Sequence, residues 1–300
     1  MKKLLATIIL FSLLPVKSFG ATIIKESFSN SKIYPETVRN FKVSVPDNYN
    51  GEPICLFVGL DGVQCRAPEV LDSLMATGDI PLMAGIYLEA GSVWDAGRNR
   101  IVRFNRSNEF DATDGKFARF LETEIIPAAV EVVRKKGINL NLKPGGNNAM
   151  IYGMSSGAIA SFNAAMQRPD LFGRVFAVCG TFVPMRGGDG LAAIVRKMEP
   201  LPVRIFIQDN YDDVWNPLFG SWYEANKFLV SALKFAGYDL MTDWAEGAHD
   251  LNRASVIFPD ALKWLWRDYP EPIESHSSSN NALAKWLPGA GSWVMETVSS

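Results

Sequence analysis

No segment constrains the fold as strongly as residues 149–166. Ala149-Met150-Ile151-Tyr152 is a short apolar run, Gly153-Met154-Ser155-Ser156-Gly157 is a turn of small residues, and Ala158 to Met166 is a helix-like stretch. Together they spell strand, sharp turn and helix. The flanking glycines let strand and helix approach closely, while the serine hydroxyl projects from a strained turn. In that setting G-x-S-x-G is the signature of a nucleophile elbow, with Ser155 as its candidate nucleophile.

A serine hydroxyl needs a base, and the 300-residue chain offers only His249 and His276. His276 stands in a tail rich in Ser and Asn. His249 lies in the loop-like Glu246-Gly247-Ala248-His249-Asp250, between a strand candidate at Leu240 to Trp244 and a helical pattern from Pro259 to Trp266. Loops at strand ends carry catalytic groups, so His249 is the expected base. Between Ser155 and His249, the strand Val203 to Ile207 runs into Gln208-Asp209-Asn210-Tyr211-Asp212-Asp213. A buried carboxylate there would hold the imidazole in the right tautomer; Asp213 is the first choice and Asp209 the second. The remaining acids of this run cap or turn the chain. For a developing oxyanion, the expected donors are the Ser156 N–H and the Val63 N–H. Gly62 of Asp61-Gly62-Val63 permits the tight turn after an earlier strand.

Apolar residues make up 48% of the chain and the formal charge is only −2, which suits one large core. Lys and Arg are scattered and balanced by acids, which argues against a nucleic-acid partner. Met1-Lys2-Lys3, the apolar Leu4 to Val16 and the small residues around Gly20 read as a secretory signal peptide over residues 1–20. That stretch is too short and Pro-interrupted for a membrane span, and no later segment approaches the length needed. The expected mature protein is therefore periplasmic or secreted, without a membrane span. Of the three cysteines, Cys55 and Cys65 are the better pair for a disulfide, although Cys55 in a strand equally suits a small buried thiol.

Strand candidates at Thr37 to Pro46, Ile54 to Leu60, Pro81 to Leu88 and Arg174 to Cys179 alternate with helical patterns at Phe117 to Lys135 and Trp222 to Phe235. This alternation predicts an α/β fold with a mainly parallel central sheet and helices on both faces, over residues 21–272. Residues 273–300 form a polar linker and tail.

Asp61-Gly62, the elbow, Arg168-Pro169-Asp170-Leu171-Phe172-Gly173-Arg174-Val175, Ala236-Gly237-Tyr238-Asp239 and Pro259 to Arg267 together resemble the esterase D superfamily, in its enterochelin-esterase-like branch. The resemblance spans roughly residues 30–270. It implies an α/β-hydrolase fold, serine ester hydrolysis without metal or cofactor, and kinship with feruloyl and acetyl-xylan esterases of carbohydrate esterase family 1. It carries the nucleophile onto Ser155, the base onto His249 and the acid onto Asp213; Asn210 departs from the glycine usual in that turn. Arg106-Ser107-Asn108-Glu109-Phe110-Asp111 resembles a segment near the pocket, where Glu109 would orient substrate or brace the loop with Arg106.

Trp94, Trp215 and Trp222 fall in or near loops at predicted strand ends, where an indole face could stack on a sugar or a phenolic acyl group. The expected partner is thus a small-molecule or glycan ester, with acetyl or feruloyl as the acyl group. A ferric-siderophore ester, an acyl transfer to a sugar hydroxyl, and a non-catalytic binding module on the same fold are the alternatives. The last predicts that one of the three catalytic roles is vacant.

Overall fold

The computed structural model describes residues 20–95 and 97–274. The expected signal peptide, up to residue 19, and the tail from residue 275 lie outside the described residues.

The first strands, β1 (Ala21–Phe28) and β2 (Thr37–Pro46), pair antiparallel along their length. They are followed by β3 (Cys55–Leu60), helix α1 (Ala67–Thr77) and β4 (Met83–Leu88). A hairpin of β5 (Ser92–Asp95) and β6 (Arg100–Phe104) leads into three short helices, α2 (Arg106–Phe110), α3 (Lys116–Phe120) and α4 (Ile126–Arg134). Strand–helix units follow: β7 (Ala149–Met154) with α5 (Ser156–Gln167), and β8 (Arg174–Val178) with α6 (Gly190–Lys197). Strand β9 (Arg204–Asn210) then leads to a small ribbon of β10 (Trp215–Asn216) and β11 (Gly220–Ser221), and to α7 (Trp222–Ala236). The last elements are β12 (Asp239–Ala245) and α8 (Asn252–Leu265).

Sheet order is β12-β9-β8-β7-β3-β4-β2-β5-β6, with β1 on β2. From β12 to β4 every pairing is parallel, and the antiparallel pairings begin at β2. The parallel strands read as continuous apolar runs because both faces are covered. Along β3, Leu56, Val58 and Leu60 enter one core with α5 and α7, while Cys55 and Phe57 enter the other with α1 and α8. Alternation of side chains thus divides one strand between two cores.

The chain leaves β3 toward β4 on one side and returns to β7 on the other, so β3 and β7 flank a topological switch point. Loops at the carboxyl ends of such strands diverge and leave a crevice. Those loops are Asp61-Gly62-Val63 and the Ser155 elbow.

Two sequence expectations need correction, and the choice left open between a disulfide and buried thiols is decided. The helix expected over Phe117 to Lys135 is interrupted by a π turn at Leu121–Ile125, just before Pro127, which has no N–H to continue the ladder. Helix α8 starts at Asn252 and not at Pro259, because Ala254, Ile257, Phe258, Ala261, Leu262 and Leu265 make a buried stripe that outweighs the proline inside it. All three cysteines are free and buried. Cys55 bonds the Tyr269 hydroxyl and Cys65 the Tyr152 hydroxyl, each at 3.3 Å, so each thiol has its own partner.

Candidate active site

Ser155 occupies the junction of β7 and α5 with φ 58° and ψ −121°, a left-handed conformation costly for any residue but glycine. The elbow is held there by β8: Ser155 N–H donates to the Val178 carbonyl at 2.9 Å, and Thr181 N–H to the Ser155 carbonyl at 3.2 Å. A Cβ on Gly153 would stand 2.2 Å from the Gly157 carbonyl oxygen, which explains why this position must be glycine. Asp61 and Cys179, the first residues past β3 and β8, share the left-handed conformation, at φ 60° and 46°. Left-handed non-glycine residues thus stand at the carboxyl ends of three adjacent strands.

Asp213, in the turn after β9, and His249, in the loop after β12, come together because β9 and β12 are neighbours. Nδ1 of His249 and Oδ1 of Asp213 are 2.5 Å apart. The carboxylate side chain is fully buried, whereas the imidazole is 25% exposed and can reach substrate. Three bonds sew the two loops together: Tyr211 N–H to Ala245 O at 2.8 Å, Asp212 N–H to Gly247 O at 3.0 Å, and Asn210 Nδ2 to Ala248 O at 2.6 Å. Asn210, where the family resemblance has glycine, thus holds the histidine loop, and Gln208 Nε2 fixes its amide at 2.8 Å. Burial pushes the Asp213 carboxyl up, but hydrogen bonds from His249, Asp209 and the Val214 N–H outweigh it and hold the group below the usual carboxylate range. Asp209 does not meet the histidine. It lies beneath Asp213, and burial together with the Asp213 charge pushes it up to about 9.

The Ser155 hydroxyl is 3.3 Å from the Thr181 hydroxyl, its one hydrogen-bond partner among the described residues. Trp222 Nε1 donates to the same Thr181 oxygen at 3.2 Å. Of the expected oxyanion donors, Ser156 begins α5, so its N–H stands outside the helical ladder. The Val63 N–H makes no hydrogen bond among the described residues. The Gly62 N–H, by contrast, donates to Leu88 O at 3.0 Å; Gly62 shapes the turn, at φ 76°, but is not a donor.

Glu109 braces a loop, although not with Arg106 as expected. Its carboxylate is fully buried and takes bonds from both Arg39 terminal nitrogens, Asn105 Nδ2 at 2.7 Å and Gly91 N–H at 3.1 Å, which leaves nothing to offer a substrate. Arg106 instead makes a bidentate pair with Asp61, both contacts at 2.7 Å, and reaches the Met154 carbonyl at 3.4 Å. The three tryptophans part company. Trp215 is 70% exposed two residues beyond Asp213, with a free indole face. Trp222 is buried and committed to Thr181, so a stacking role is excluded. Trp94 lies on β5, four strands from β7, and lines a separate cavity with Val38, Asn40 and Ile101.

Cys179 Sγ, an Asp213 oxygen and a His249 nitrogen lie within 4.8 Å of one another, a donor set for a soft cation. It does not fit one: Nδ1 and Oδ1 at 2.5 Å leave no room for an ion between them, and burial pushes the Cys179 thiol up, keeping it protonated.

Sequence reasoning missed Thr181, Asn210 as a loop tie, and the Asp61–Arg106 pair. Thr181 follows the apolar run of β8 directly, and that position beside the elbow was its only signal.

Residues 34–265 match the family model described as "Putative esterase". No curated protein sequence matches the chain. Among solved structures, the CE1 ferulic acid esterase from Anaeromyces mucronatus, in complex with ferulic acid, is 17% identical with a TM-score of 0.60, over 83% of this chain and 91% of that one. The ferric enterobactin esterase from Salmonella typhimurium is 18% identical with a TM-score of 0.63, over 82% and 58%. The enterobactin esterase from Shigella flexneri, in the presence of enterobactin, is 17% identical with a TM-score of 0.61, over 82% and 59%. The match thus spans about three-fifths of the enterobactin esterases' length. At such identities the likeness shows the α/β-hydrolase fold alone.

Proposed function

The chain belongs to the esterase family and is a carboxyl-ester hydrolase; we propose that it is exported and works through Ser155, His249 and Asp213 on acylated glycans. The observation that carries this reading is the 2.5 Å contact between His249 and Asp213, with Ser155 held in a left-handed elbow two strands from β9.

His249 Nε2 takes the Ser155 proton as Oγ attacks the ester carbonyl, and Asp213 stabilises the resulting imidazolium. The tetrahedral oxyanion accepts from the Ser156 and Val63 N–H groups, each such donor being worth about 3 kcal/mol. His249 returns the proton to the departing alcohol, and water repeats the sequence to release the acid. No role is vacant, which favours catalysis over a binding module.

Support for a glycan or phenolic ester comes from Trp215, whose exposed indole beside the Asp213 turn offers the flat apolar surface that sugars and aromatic acyl groups pack on. The charged, apolar and small-residue regions of residues 1–20 support export. The test is acid release from acetylated and feruloylated xylan fragments, a catecholate–serine ester and an aryl acetate, run beside Ser155→Ala. Release from a xylan ester, lost in the variant, is the expected result; turnover of the catecholate ester alone would move the substrate to the siderophore class.

A further inference from the structure

The mechanism leaves unused a buried ionisable group beside Asp213. Asp209 is fully buried at the end of β9, and its carboxyl lies within hydrogen-bonding reach of the Asp213 carboxyl. Oδ2 of Asp209 and Oδ2 of Asp213 are both closed off from solvent, and neither receives an N–H or hydroxyl from any other described residue. Two carboxylate oxygens placed so would repel, and each would also forgo its hydrogen bonds. One proton between them removes both costs.

The surroundings decide which acid carries it. Asp213 Oδ1 receives His249 Nδ1 and the Val214 N–H, each at 2.5 Å, and both favour the anion. Asp209 receives one N–H, from Asn210 at 2.7 Å, and beside it only the weak S–H donor of Cys179. The other ionisable group facing the pair is the Cys179 thiol, which burial and the neighbouring acids keep protonated. Among the described residues, the cation that can form beside the pair is His249, and it belongs to Asp213.

We propose that Asp209 is a neutral carboxylic acid that donates a hydrogen bond to Oδ2 of Asp213, a positioning residue that fixes the Asp213 carboxylate against His249. The inference rests on the serine-hydrolase reading above and deepens it. Burial and the adjacent Asp213 charge, which raise the affinity of Asp209 for its proton, act in the same direction.

Asp209→Asn supplies an amide N–H where the acid had its O–H, and exchanges one neutral group for another. Its kcat should remain within about threefold of the parent, with the acid limb of the pH profile of kcat/KM unmoved. Asp209→Leu removes the donor and should lower kcat about tenfold or more at unchanged KM. The infrared spectrum of the parent at neutral pH should hold a protonated-carboxyl band that Asp209→Asn lacks. An acid limb moved to lower pH in Asp209→Asn, or no such band, would mean that Asp209 is an anion and would overturn the assignment. Leucine matching asparagine in kcat would overturn the positioning role; if the leucine variant fails to fold, Asp209→Ala is compared in its place. Ser155→Ala, assayed alongside, separates the two readings: retained turnover there removes the serine mechanism whatever Asp209 does, while the carboxyl band reports the charge state without any activity.

Discussion

The two ends of the central sheet bury comparable numbers of charged groups and treat them differently. At the amino end, the first residues of β8, β9 and β12 are Arg174, Arg204 and Asp239. Arg174 donates to Leu265 O, Asn147 O and Asn147 Oδ1 and lies over the Trp266 ring at 4.2 Å. Arg204 and Arg267 both close on Asp239, at 2.6–2.7 Å, and Arg204 also caps α8 through Leu265 O. At the carboxyl end, Asp61, Ser155 and Cys179 are strained, and buried oxygens of Gln208, Asp209 and Asp213 lack a conventional donor. Saturated charges hold the last helix to the sheet; unsatisfied acids mark the end where the proposed chemistry lies.

The comparison breaks most visibly at Ser155. Ser155→Ala should lower kcat by about 10⁴-fold or more with little change in Tm, since the smaller side chain leaves the elbow intact. Asp213→Asn comes next, at about 10³–10⁴-fold in kcat, because an amide favours the wrong histidine tautomer. A large loss of Tm in either variant would mean that this end also bears the fold. Asp239→Ala is the mirror experiment. It strands Arg204 and Arg267, and should cost about 3 kcal/mol, or roughly 6–12 °C in Tm, with kcat per folded molecule unchanged.

The two ends should also separate by pH. Burial pushes the Asp239 carboxyl up, but Arg267 and Arg204 hold it below the usual range. Its contribution is present above the unfolded-state value near pH 4 and is lost as pH falls through the folded-state value. Asp209 has the opposite sign: raised to about 9 by burial and by Asp213, it favours the fold below about pH 4 and loses that contribution progressively up to about pH 9. Thermal melts across this range should show Asp239→Asn flattening the profile on the acid side of about pH 4 alone and Asp209→Asn on the alkaline side of about pH 4 alone. A change on the same side for both would show that the ends are not independent.

What could be read from sequence follows the same division. The inner parallel strands β3, β4 and β7 were legible because both faces are buried, so each is a continuous apolar run, and β2 was legible from its alternation, with the same bounds. Strand β6, exposed throughout, and β1, buried chiefly at Ile24, carry no inward-facing period and were missed. The strand-end positions of Ser155, Asp213 and His249 were legible because chain order and strand-end loops are local properties, and the 2.5 Å contact of Asp213 with His249 is consistent with the proposed roles. Glu109 was assigned the wrong partner because Arg39 stands seventy residues away in the chain, and only the pairing of β2 with β5 brings that arginine near it. Thr181 depends likewise on β8 lying beside β7.

Thr181 offers the smallest and most discriminating test. An indole N–H can only donate, so the Thr181 oxygen accepts from Trp222 and its own hydrogen stays available for Ser155 Oγ. Ser155 then keeps its own hydrogen for His249, which makes Thr181 a guide to the serine rotamer. Thr181→Val leaves the buried Trp222 N–H without an acceptor and should cost about 1–3 kcal/mol of stability. Trp222→Phe removes donor and need together and should cost less through this bond. In kcat, Thr181→Val should fall by about fivefold, the worth of one ordinary hydrogen bond, while Trp222→Phe frees the threonine hydroxyl to rotate and should lie between valine and the parent. If both variants match the parent in kcat while differing in Tm, Thr181 belongs with Arg174 and Arg204, among the groups that hold the sheet and leave the chemistry alone.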